Sequence, residues 1–398
     1  MHMSTVDNLD LSVLADPAVR RDPYPLFAAL RETTPFSAMD GTLVVVAGHA
    51  DCHRLLRDPA LSSDRTRARQ VADDTTGLPT SFLFRDPPDH TRLRGLVSKA
   101  FTPRVVARLR PRITELTESL VAAADPAGFD VVAGLSHPLP VRVISELLGV
   151  PASDHDLFAG WSDRLARGLD AEFGSVAPEV FSDALAARHE FAAYFAELIG
   201  ARRGQDGTDL LSHLIRVEED GERLSTPELI VTTTLLLVAG HETTTNLIAN
   251  GILALLRHPA QLDALRADPA LVEGAVEESL RYDPAVQFTS RQVRGSYRIA
   301  DIDAPDGATI ALLIAAANRD PAVFADPDAF DIRRANAAQH LSFAAGAHFC
   351  LGAGLARLEA AIALGAFARL RGPELVELDY KPNINLRGPQ RLVVRFGR

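Results

Sequence analysis

From Pro227 to Arg257 the chain is apolar on nearly every helical face. Leu229, Ile230, Leu235, Leu236, Leu237, Val238, Ile248, Ile252 and Leu255 fall all round a turn of 3.6 residues. A helix apolar all round is buried at the centre of a large core, and the pattern predicts one here. Helical periodicity dominates from about Thr91 to Tyr282, punctuated at Asp125-Pro126, Gly134 and Pro138. His49–Arg57 and Leu351–Leu370 also read as helices. Strands are expected at Pro35–Ala38 and Thr42–Val46, joined by a turn at Asp40-Gly41. A second strand-rich patch runs from Ser290 to Ile314 with a turn at Asp306-Gly307, and Thr309–Ile314, which alternates poorly, reads as a buried strand. Pro321–Asn336 is irregular, and Arg391–Phe396 reads as a strand. The pattern predicts a mainly α fold with small β-sheets. One large domain would span 1–398, with β-rich parts near 35–47, 290–315 and 375–398 around a helical core near 91–282 and 351–371.

Composition narrows this. The 398 residues are 47% hydrophobic. Length suggests two or three domains and equally allows one large single-cored α-rich fold, and there is no internal repeat or low-complexity linker. The net charge of −11 argues against non-specific nucleic-acid binding. No uninterrupted apolar run reaches the roughly 18 residues of a membrane span. Met1–Asp10 has no basic start or apolar run, so neither a signal peptide nor an anchor is expected. Two cysteines cannot make a disulfide framework, and a reducing cytoplasm fits. Cys52, within His49–Arg57, reads as a small core residue. Arginine is plentiful, whereas the only lysines are Lys99 and Lys381.

The most informative run is Phe343-Ala344-Ala345-Gly346-Ala347-His348-Phe349-Cys350-Leu351-Gly352. One cysteine lies in a glycine-rich loop and opens a helix. Backbone N–H groups at a helix start, and the positive end of its dipole, lower a thiol's pKa. Without a nearby second cysteine it cannot build a zinc or iron–sulfur site, but it can be the axial ligand of a haem.

The run resembles the haem-binding signature of the cytochrome P450 family, the haem-thiolate monooxygenases. Phe343, Gly346, His348, Cys350 and Gly352 fill the signature's places, with Ala344 where many members have glycine and Gly354 where many bacterial members have proline. The resemblance spans about Asp22 to the end, and it implies heme b (iron protoporphyrin IX) bound through Cys350. Phe343 would shield the sulfur, Gly346 would permit the turn, Gly352 would let the helix approach the porphyrin, and His348 would reach a propionate. Ala239-Gly240-His241-Glu242-Thr243-Thr244, inside the long apolar helix, is similar to the family's oxygen-activation motif. There Ala239 and Gly240 would leave room above the iron, Thr243 would hydrogen-bond the oxygen being activated, and Glu242 would relay protons. A bland alternative is a kink with Thr hydroxyls bonded one turn back. His241 is expected to face the protein.

Glu278 and Arg281 stand at i and i+3 and look like the family's Glu-x-x-Arg pair, with Arg334 or Arg333 as third member. Asp86–Arg94 resembles the segment that opens the helix at the haem edge. Asp89 or Thr91 would cap that helix, and His90 and Arg94, four apart, would hold a propionate, with Arg291 as a further ligand. Arg104, Arg108, Arg110 and Arg112 read either as a solvated face or as the docking face for an acidic ferredoxin. Substrate contact would come from Ser63–Leu83, Leu157–Phe181, Leu235–Ala239 and Val286–Phe288, with Leu236, Ala239, Val286 and Phe288 making an apolar pocket. The reading is therefore a soluble monooxygenase acting on a small organic substrate with O2 and electrons from a ferredoxin and its reductase, with no nucleic-acid or membrane partner. The alternatives are oxidative coupling by the same haem, and a non-enzymatic haem sensor.

Overall fold

The computed structural model describes residues 11–68, 79–99, 101–170, 177–216, 218–219 and 222–397. Met1–Asp10 and parts of two expected substrate segments, 69–78 and 171–176, lie outside them.

The long helix is the axis of the molecule. It runs Thr226–Arg257 and begins with a capping box, in which the Ser225 hydroxyl accepts from the Glu228 amide while the Glu228 carboxylate accepts from the Ser225 amide. Arg92 holds the same carboxylate and ties the helix start to Asp89–Ser98. Helices Pro138–Leu148, His155–Gly168, Pro178–Arg202, Val272–Tyr282 and Ala353–Ala368 pack around it. At Gly251 an added Cβ would lie 2.9 Å from Ser279 Oγ and 3.1 Å from Leu364, so glycine is what lets three helices meet. Leu247, Ile248, Ile252 and Leu255 join Leu358, Leu364 and Phe367 in the largest apolar cluster. Burying such a side chain contributes about 2 kcal/mol, which explains why this axis is so uniformly apolar.

The strands form two main sheets. The first has five strands in the order Phe36–Ala38, Leu43–Val46, Thr309–Leu312, Thr289–Val293 and Leu61–Ser62. Its hairpin turns where expected, with Met39, Asp40 and Gly41 all at positive φ. Thr309–Leu312 is the central strand, parallel to Leu43–Val46 and antiparallel to Thr289–Val293, which is why its apolar run does not alternate. Ile314 is not part of it but starts a short helix, Ile314–Ala317. The second sheet pairs Arg371–Tyr380 with Pro389–Gly397, and Phe129–Asp130 adds to the latter. Pro138 opens a helix instead of interrupting one, as proline can at a first turn. Neither Asp89 nor Thr91 caps Asp89–Ser98: Pro88 occupies that position, and Asp89 pairs with Arg85 at 3.0 Å. No helix among the described residues is long and apolar enough to cross a membrane.

Candidate active site

The cysteine loop is held from three sides. The Cys350 amide donates to the Phe343 carbonyl at 2.9 Å and closes the loop. Gly346 has φ +71, and a Cβ there would lie 3.1 Å from Arg57 Cα and 3.2 Å from Leu56 O, so glycine is required twice over. Ala344 takes the left-handed conformation at φ +56 without being glycine. Phe343 is buried, with the Arg357 guanidinium 4.6 Å above its ring. Arg357 binds Glu277 at 2.5 Å, and His340 stands 3.3 Å from the same carboxylate. Burial works to raise Glu277, but His340 and Arg357 hold it down at about 2.

Cys350 opens to solvent on one side while protein surrounds it on the others. Burial raises its pKa, against the Gly352 amide, Arg94, Arg357 and the Ala353 amide, which all lower it. The helix-start amides thus act as the sequence implies, but desolvation outweighs them. A cation bonded to the sulfur would offset that desolvation and favour the thiolate. A Cβ on Gly352 would meet nothing within 4 Å, so the space beside the helix start is clear.

His90, Arg94 and Arg291 gather around His348, two residues before the cysteine. The His90 and His348 rings are 4.2 Å apart. Arg94 donates to the Phe349 carbonyl at 2.5 Å. Arg291 is buried, and burial lowers it to about 10. Burial, then His90, Arg291 and Arg94, push His348 down to about 3. Asp86, the acid that acts on both imidazoles, is already held by Ser62, the Ser63 amide at 2.9 Å and Arg294 at 2.8 Å. His90 Nε2 is buried with no hydrogen-bond partner. A buried guanidinium, a half-buried one and two imidazoles that burial keeps from taking up protons, one with an orphaned nitrogen, call for an anion, and the carboxylates of a planar cofactor reaching the sulfur would supply it. The residues fit heme b.

The long helix presents a second set. Between Leu229 and Leu255 it is buried except at Thr234, Leu235, Val238, Ala239, Gly240 and Thr243. Leu235, Ala239 and Thr243 form one stripe at i, i+4 spacing, flanked by Thr234, Val238 and Gly240, with Ala239 the most open. The Thr243 hydroxyl donates to the Ala239 carbonyl at 2.6 Å, the bond of the bland reading, yet the helix continues unbroken. A Cβ on Gly240 would point at Ile144, 3.6 Å away, an ordinary contact. Glu242 is buried and receives Lys381 Nζ at 2.5 Å. His241 faces the protein: it is fully buried, bonded to Ser162 Oγ at 2.8 Å, and lowered to about 3 by burial and then by His137.

Glu278 binds Arg281 through two 2.7 Å hydrogen bonds, and both are wholly buried. Arg334 is the third member at 3.2 Å, while Arg333 is exposed. Leu236 and Phe288 belong to apolar core clusters, whereas Val286 and Leu235 stay part-exposed. Sequence reasoning missed Lys381, Arg357, His340 and Glu359. A lysine in a chain with only two was a signal for the first; the others had none.

The cytochrome P450 family model matches residues 178–371. The chain is 44% identical to cytochrome P450 monooxygenase PikC of Streptomyces venezuelae, covering 98% of this chain and 94% of that one. It is 40% identical to the vitamin D(3) 25-hydroxylase of Pseudonocardia autotrophica, covering 95% and 94%. The ligand-free crystal structure of Mycobacterium smegmatis CYP164A2 superposes with a TM-score of 0.90 at 46% identity, covering 97% of this chain and 99% of that one. Sequence, fold and cysteine loop agree that this chain belongs to the cytochrome P450 family, monooxygenases that bind heme b through a cysteine thiolate.

Proposed function

We propose that this chain hydroxylates or epoxidises a small, largely apolar organic substrate, using O2 and electrons from a ferredoxin and its reductase. The observation that carries the reading is the open stripe on the long helix, ending at Thr243 beside an acid that Lys381 holds in place. Heme b supplies an iron centre at which O2 is reduced and activated. Cys350 would ligate it, while His90, Arg94, Arg291 and His348 would hold its carboxylates. Phe343 keeps water from the sulfur on the protein side. Leu235, Ala239 and Val286 offer apolar surface to the substrate. The Thr243 oxygen carries acceptor lone pairs while its proton is given to Ala239, and turning the hydroxyl makes it a donor to a neighbouring molecule. Glu242, one residue away, is the group that would resupply that proton.

The similarity to a named hydroxylase supports oxygen insertion over coupling. The test is turnover under labelled O2 with ligands first selected by their shift of the haem spectrum. A product heavier by one labelled oxygen atom is expected. A product lighter by two hydrogens would replace this reading with coupling.

A further inference from the structure

We propose that His137, Asp163 and His241 form a second site, binding one divalent transition-metal ion of the zinc type. A nitrogen or carboxylate oxygen of each lies within 4.8 Å of the other two. They come from three distant elements: the residue before Pro138–Leu148, the helix His155–Gly168, and the middle of the long helix. His241 stands two positions from both Ala239 and Thr243, so it projects from the opposite face of its helix. The site is therefore separate from the open stripe.

The second observation is the state of His241. Its Nδ1 is 2.8 Å from Ser162 Oγ. With the proton on Nδ1 and given to that oxygen, the lone pair rests on Nε2. Nε2 is wholly buried and has no hydrogen-bond partner. The His137 backbone carbonyl lies close by but out of line for a well-formed hydrogen bond, and its pull on the ring is the weakest of those acting on His241; the two imidazole rings meet edge to face at 4.5 Å. An unpaired buried acceptor is unfavourable, and a cation removes the deficit. Ser162 then plays the part of the outer hydrogen-bond partner that fixes a ligand imidazole's tautomer.

The spacing suits the ion. His137 Nε2 is 3.1 Å from Asp163 Oδ1. Two ligand atoms about 2.1 Å from a tetrahedral zinc stand about 3.4 Å apart. Two imidazoles and one carboxylate favour zinc, cobalt or nickel over magnesium or calcium. His137 and Asp163 are 26% and 47% exposed, so an ion can enter and keep a water ligand. The nearby cation, Lys381, has its ammonium on Glu242. A bound ion would pin two helices to the long one at the residue before Glu242.

The test uses the haem-loaded protein, stripped with a chelator and desalted. Equilibrium dialysis against Zn2+, with zinc measured by elemental analysis, is expected to give one tightly held ion per chain and a higher unfolding temperature. His137→Ala and Asp163→Asn, both at part-exposed positions, should each weaken binding at least about ten-fold. The reduced, carbon monoxide-bound spectrum of each should stay that of the parent. No zinc uptake by the parent, or uptake equally tight in both variants, would overturn the proposal.

Discussion

Glu242 and Lys381 form a nearly buried pair, 4% and 14% exposed, in which each charge depends on the other. Replacing one partner leaves an uncompensated charge, at a cost of about 3 kcal/mol. Lys381→Met should therefore lower the unfolding free energy from urea titration by that amount and reduce product formed per electron consumed. Adding Glu242→Gln should restore stability but not turnover. A double variant as unstable as the single one would show that Lys381 does something other than hold the acid. Glu359 poses the opposite case. It is buried on Ala353–Ala368, its Oε2 has no partner, and burial alone raises it from 4.5 to about 8. Between those values the folded chain keeps a proton that the unfolded chain has released. Its contribution is then fully present below about pH 4.5 and is lost as pH rises through about 8, with a slope approaching 1.4 kcal/mol per pH unit between the two. Glu359→Gln, if it matches the parent at pH 5, should exceed it by roughly 4 kcal/mol at pH 9. Parallel stability profiles from urea titrations would mean that the carboxyl has found a partner.

The elements show what Glu278, Arg281 and Arg334 are for. The segment between Ile314–Ala317 and the cysteine loop has almost no regular structure, so its carbonyls need other donors. Arg281 donates to Asn318, Pro327 and Ala329, and Arg334 to Ala325, Asp326 and Ala329. Glu278 fixes both guanidiniums and accepts from the Asp331 amide at 2.8 Å. Arg334→Leu should cost about 3 kcal/mol and lower the haem content of purified protein. Arg333→Leu, at an exposed position, should change stability by less than about 0.5 kcal/mol. Equal effects would remove Arg334 from this role. The same segment marks how far the sequence can be read. The long helix, the hairpin and the central strand were visible because burial imposes a period, or an unbroken apolar run, on the residues themselves. Arg371–Tyr380 was visible only in part, because it is largely exposed and Leu375 and Val376 both face solvent, so period-two alternation fails. The motif residues around Cys350 were legible because each sits at a fixed spacing in one short run. Lys381 on Glu242, and Arg357 between Phe343 and Glu277, join residues 139 and 80 positions apart, and no local pattern carries such a pairing.

Over the whole molecule, charge is the property that a partner would sense first. The chain carries −11, yet Arg104, Arg108, Arg110 and Arg112 lie exposed along Pro103–Ala122, a helix packed against the one that Cys350 precedes. Arg112 is spent on Glu146 and Glu115, at 2.7 and 2.8 Å, so three arginines of the four remain to face outward. The net charge repels an acidic partner at long range, whereas a local positive patch attracts and orients it within about a screening length, and this acts on encounter rate more than on affinity. Arg104→Glu with Arg108→Glu should therefore slow reduction by a ferredoxin by roughly ten-fold at low salt. The deficit should shrink as salt rises, because the screening length falls from about 10 Å at 0.1 M to about 3 Å at 1 M. Stability and the carbon monoxide spectrum should not change, since both side chains are exposed. Stopped-flow reduction at several ionic strengths measures this directly. Rates that match the parent at low salt would place electron entry elsewhere, whereas a deficit that persists undiminished at high salt would mean that the two arginines act by contact and not by steering.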